Sequence, residues 1–100
     1  MMDYVRARRE DIRWHLISAA NVSRPVGVPT EFMLAVIRTV YADATELEIR
    51  RELDYLEERE LVKIARDGMD RWRVELTRHG IDLAEYTTPV EPGIARPKVG

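Results

Sequence analysis

One hundred residues, 45% hydrophobic and 34% charged, with a net charge of −2, describe one small globular domain and leave no room for a second. The absence of cysteine excludes disulfides, thiolate catalysis and Cys-based zinc or iron–sulfur sites. No apolar run approaches the ~20 residues that span a bilayer, and the charged start MMDYVRARRE is unlike an export signal, so a cytoplasmic protein is expected.

The charge is unevenly distributed. Arg6, Arg8, Arg9 and Arg13 crowd the start, Lys63, Arg66, Arg71 and Arg73 crowd a later segment, and acids concentrate between them. Residues 3 to 20 read as a helix capped by Asp3, with Val5, Ile12, Leu16 and Ala19 on one stripe. Trp14 projects nearly opposite that stripe, with Ile17 between. The two form a candidate dimer or partner contact, unless the C-terminal segment folds back over Trp14.

Asn21 to Pro29, NVSRPVGVP, reads as a loop, after which Thr30 offers an N-cap to a second helix, TEFMLAVIRTVY. Phe32, Met33, Leu34, Val36, Ile37, Val40 and Tyr41 surround much of this helix, so it is expected to be buried, with Met33 in the core. The short linker Ala42-Asp43-Ala44 suits a sharp helix-turn-helix corner. Thr45 and Glu48 then have the spacing of a capping box, and Ile49, Leu53 and Leu56 place one face of a third helix on the core.

Two alternating runs flank Asp67-Gly68-Met69-Asp70 and read as a β-hairpin in which Trp72, Val74 and Leu76 share the inner face. Thr77 caps a last short helix to Glu85, carrying Ile81 and either Leu83 or Ala84 to the core. From Thr87 the chain holds three of its five prolines and is expected to be an extended tail.

Helix, helix, turn, helix, hairpin, helix resembles a winged helix-turn-helix domain over residues 1–86, with a Pro/Gly-rich tail at 87–100. The fold class is therefore α+β and mostly helical. The resemblance rests on ATELEIRRELDYLEERELV, in which Leu53, Leu56, Leu61 and Val62 match the end of the third helix, and on the hairpin that runs into VELTRHG. The tail's PGIARP is also similar to small uncharacterised proteins of Mu-like prophages.

The winged-helix resemblance implies a regulator that binds double-stranded DNA with the third helix in the major groove and the hairpin, its wing, on the backbone. By position the base-facing candidates are Thr45, Glu46, Leu47, Arg50 and Arg51, and the phosphate-facing candidates are Lys63, Arg66, Arg71 and Arg73. Against this, the third helix region carries seven carboxylates and three arginines. A solvated face in which Arg50 pairs with Asp54, and Arg51 with Asp54 or Glu48, is the alternative. It would leave a winged-helix module for protein–protein interaction, without nucleic-acid binding.

Catalysis has little support, because His15 and His79 lie far apart without a metal-ligand spacing and no nucleophile–base pair or phosphate loop is evident. No enzyme activity, metal or cofactor is expected.

Overall fold

The computed structural model describes residues 3–99. Helix α1 spans Tyr4–Val22, and Asp3 caps it by accepting the Arg6 amide at 3.1 Å. Ile12 and Leu16 are buried as their spacing predicts, together with Ile17 and Ala20. Val5 is 66% exposed and Ala19 only half-buried. The expected stripe is thus rotated, because α1 meets the core with its central and last turns while its first turns project beyond it.

Two residues of the loop, Val28–Pro29, form a short strand β1 that the sequence does not reveal. It pairs antiparallel with β3 (Trp72–Leu76) through Val28 opposite Val74, and β3 also pairs with β2 (Val62–Arg66) through Ile64 opposite Val74. The order β1-β3-β2 puts Pro29 on an edge, where its missing N–H is tolerated.

Helix α2 covers Thr30–Arg38, shorter than expected, and its cap position is Pro29, which makes no side-chain bond. Thr30 is instead buried, and its hydroxyl approaches Glu46 at 3.4 Å. Met33 and Ile37 face the core, whereas Phe32 is 51% and Val40 50% exposed, so α2 is buried on one side only.

Helix α3 spans Glu46–Glu58 and presents Ile49, Leu53 and Leu56 to the core as predicted. Thr45 accepts the Glu48 amide at 3.2 Å, so half of the capping box forms, while the Glu48 carboxylate turns to Arg8. The helix ends in a Schellman motif: Leu61 N–H donates to the Leu56 carbonyl, Glu60 N–H donates to the Glu57 carbonyl, and Glu60 takes a left-handed φ of 60°. Helix α4, Arg78–Ala84, is capped by Thr77 and buries Leu83. Gly80 is required there, because a Cβ would collide with the Leu61 carbonyl oxygen.

The last segment departs from expectation. Residues 87–99 cross back over α1 instead of trailing, and Ile94 enters the core at 4% exposure. Ala95 N–H donates to the Glu10 carbonyl, Arg13 reaches the Gly93 carbonyl, and Arg96 bonds the Leu83 and Thr88 carbonyls. Tyr86, held at a left-handed φ of 63°, meets Trp14 edge-on with ring centroids 6.0 Å apart. Tyr86 in turn donates its hydroxyl to the Pro97 carbonyl at 2.7 Å and has Arg96 4.3 Å from its ring centre, so the last segment holds the ring that meets Trp14.

Candidate nucleic-acid interface

The N-terminal turn of α3 carries Thr45, Glu46 and Leu47 at the surface, with Leu47 60% exposed. Arg50 and Arg51, adjacent in sequence, diverge by the ~100° that separates neighbours on a helix. Arg51 is exposed and borders a groove with Val5, Arg8 and Arg9 of α1. Arg50 turns the other way, to the hairpin. Its Nη1 donates to Asp70 Oδ2 at 2.7 Å, its Nη2 donates to the Asp70 carbonyl at 2.6 Å, and its guanidinium lies 4.5 Å from the Trp72 ring centre.

A second arginine approaches the same ring. Arg66 is centred 4.4 Å from the same ring and pairs with Glu57 at 3.0 Å and Asp54 at 3.4 Å. Asp54 therefore serves the hairpin, and the expected pairing of Arg50 or Arg51 with it is not made. Trp72 is half-buried beside two cations rather than deep in the core. The Arg50–Trp72 contact and the ion pairs Arg50–Asp70, Arg66–Asp54 and Arg66–Glu57 fix the hairpin to α3.

The remaining basic candidates of the hairpin stand in different situations. Arg71 pairs with Asp67 at 2.8 Å, and Asp67 also accepts the Met69 and Arg71 amides, which closes the turn. Those backbone bonds, from Arg71 first and Met69 next, hold the Asp67 carboxyl below its ordinary range. The bond from Arg50 does the same for Asp70. Arg73 donates to the Gly27 carbonyl at 2.7 Å. Lys63 is exposed. Among the described residues, Arg51, Lys63 and Arg73 have no carboxylate partner, so three of the six basic candidates keep an uncompensated charge.

The acids of α3 have partners that sequence reasoning missed. Arg8 grips Glu48 at 2.8 Å and Asp43 at 2.9 Å, and Arg13 reaches the buried Glu52 at 2.7 Å with Arg9 at 3.8 Å. Tyr55 likewise has two cations at its ring, Arg13 at 3.5 Å and Arg59 at 3.9 Å. Three of the four arginines that crowd the start of the chain, Arg8, Arg9 and Arg13, are thus counter-ions of α3, while Arg6 pairs with Glu10 within α1. No local spacing announces such pairs, since each joins residues about forty positions apart.

Of the expected contact pair Trp14 and Ile17, only Ile17 is withdrawn from the surface. Ile17 is fully buried between α1 and the core, and Trp14 is half-covered by Tyr86. Exposed apolar surface lies elsewhere, in a groove between α1 and α2 lined by His15, Ala19, Val22, Phe32 and Val36. Among the described residues no three potential ligands gather to hold a metal ion, and no helix is long and apolar enough to cross a membrane.

Comparison with protein-family models and with curated proteins gives no match. Among solved structures, the chain is similar to a mutant MepR from a multidrug-resistant S. aureus clinical isolate. The TM-score is 0.64 and the identity 21%, over 80% of this chain and 56% of that one. The chain thus spans little more than half the length of that protein. At this identity the likeness concerns the fold, and with the helix-turn-helix, the hairpin and the three-stranded sheet already described, it makes this chain a winged helix.

Proposed function

We propose that this domain is a transcriptional regulator that binds double-stranded DNA, with the exposed first turns of α3 in the major groove and the hairpin against the backbone. The observation that carries the reading is the pairing of the α3 acids. Glu48, Glu52, Asp54 and Glu57 are each engaged by an arginine from α1 or the hairpin, so four of the seven carboxylates counted in this region are balanced within the fold. Thr45, Leu47 and Arg51 are the residues left free to meet base edges, and Lys63 and Arg73 supply charge for phosphates.

The test is fluorescence anisotropy with random duplex at low and moderate salt. Binding at low salt is expected, weakening in R51A and in the R71A/R73A pair, with a shallower salt slope for the latter. Undetectable binding at low salt refutes the reading. The phage setting rests on the PGIARP resemblance alone, and a DNA-bound regulator in that setting would work in the cytoplasm.

A second reading, a protein-interaction module without nucleic-acid binding, is favoured by the α1–α2 groove, where Phe32 and Val22 stand exposed. A homodimer through this surface is one version of it. Sedimentation at micromolar concentration of the wild type and of F32E separates the versions. A wild-type dimer that F32E converts to a monomer supports the homodimer, and a monomeric wild type rules it out.

A further inference from the structure

We infer that Asp70 is a specificity-determining residue that occupies Arg50 in the free protein as a stand-in for the guanine edge. This inference rests on the DNA-binding reading above. Two parallel N–H groups of the Arg50 fork meet two acceptors of a single residue, the Asp70 carboxylate at 2.7 Å and the Asp70 carbonyl at 2.6 Å. Guanine offers the same fork two acceptors in the major groove, O6 and N7.

The surroundings keep Arg50 ready for exchange. Its guanidinium lies 4.5 Å from the Trp72 ring centre, with Arg66 4.4 Å from the same centre, so the aromatic ring as well as Asp70 holds the fork in place. Its side chain is 21% exposed and that of Asp70 78% exposed, so the aspartate lies on the solvent side of the pair and is the partner that an incoming acceptor displaces. Asp70 stands at a left-handed φ of 58° at the end of the hairpin turn, a conformation that Asp and Asn tolerate best after Gly. Glu46, 3.7 Å from Nη2, is the other acid within reach of the fork.

Exchange carries a threshold. An adenine edge offers the fork one acceptor, N7, beside the N6 amino donor, whereas a guanine edge replaces both acceptors, so Asp70 weakens contact with an A·T site more than it weakens contact with a guanine-bearing site. A residue at the tip of the wing thereby tunes what a residue of α3 reads.

The test compares wild type, D70N, R50A and R50A/D70N by anisotropy on two duplex pools, one rich in G·C and one of A·T only. Asparagine keeps the left-handed backbone and a side-chain acceptor but removes the charge. Wild type is expected to prefer the G·C pool. D70N is expected to gain about two- to fivefold on the A·T pool, the scale of one partly exposed ion pair, and less on the G·C pool. In the R50A background the gain is expected to vanish. A D70N gain that persists in R50A, or that is equal on both pools, overturns the inference as a plain charge effect. A D70N loss overturns it in favour of Asp70 as a brace for the wing. If wild type and D70N both fail to bind at low salt, the DNA-binding reading falls as well, which separates the two failures. Melting curves of all four proteins, expected to be cooperative, exclude misfolding as the source of any change.

Discussion

Arg13 holds Glu52 across the seam between α1 and α3, with 2.7 Å between its Nε and a carboxylate that is almost wholly shielded from water. The same guanidinium lies on Tyr55 and donates to the Gly93 carbonyl at 2.9 Å, so α1, α3 and the last segment converge on one side chain. Removing one partner of a buried pair leaves the other charged without compensation, at a cost of ~3–5 kcal/mol. R13A is expected to fall at the lower end, about 3 kcal/mol, because Arg9 stands 3.8 Å from Glu52. Urea unfolding measures it. R13K, which keeps the charge but loses the planar stack, should lie between R13A and wild type.

The last segment is part of the core and not an appendage. I94A should cost ~2–4 kcal/mol, the range for truncating a buried branched side chain. A chain ending at Tyr86, examined in a W72F background, should unfold at lower urea and show red-shifted Trp14 emission. Unchanged values for both would mean that residues 87–99 do not hold Trp14 under cover.

Two substitutions at the ends of α3 and α4 should act in opposite directions. Glu60 occupies a left-handed position that glycine adopts without penalty, so E60G should stabilise the domain by about 0.5–1 kcal/mol. G80A drives a methyl group into the Leu61 carbonyl, where backbone cannot yield cheaply, and should destabilise by ~1–3 kcal/mol. For a domain of this size each kcal/mol moves the melting temperature by about 4–8 °C, so thermal melts resolve both.

Strong acid should loosen the hairpin turn. Asp67 and Asp70 have carboxyls held below the ordinary value of 3.8, by the Arg71 and Met69 amides and by Arg50 respectively. A depressed folded-state value means that their contribution is present above the unfolded-state value and is lost as pH falls through the folded-state one. The Met69 and Arg71 amide resonances should therefore titrate below 3.8, and D67N should abolish that step.

Local patterns were sufficient for the elements and for most of the core. The cap at Asp3, the Thr45 start of α3, the Ile49, Leu53 and Leu56 stripe, the turn at Asp67 to Asp70 and the Thr77 cap all depend on residues a few positions apart, which is the range over which spacing carries information. The strand at Val28–Pro29 was not legible, because two residues hold no periodicity and exist as a strand only through Val74. The placement of the last segment was not legible either, since proline-rich composition gives no sign of an Ile94 that fits beneath it.

Charge was the least legible property of all. Counting along the chain makes α3 acidic and the hairpin basic, and it groups Arg50 with Arg51. Folding brings Arg8 to Glu48, Arg13 to Glu52, Arg66 to Asp54 and Glu57, and Arg50 to Asp70. The sequence determined which residues carry charge and which face of α3 turns inward. The tertiary structure alone decided which charges remain for a partner, because ion pairing depends on distance in space and acts over a few ångströms, whatever the separation in sequence.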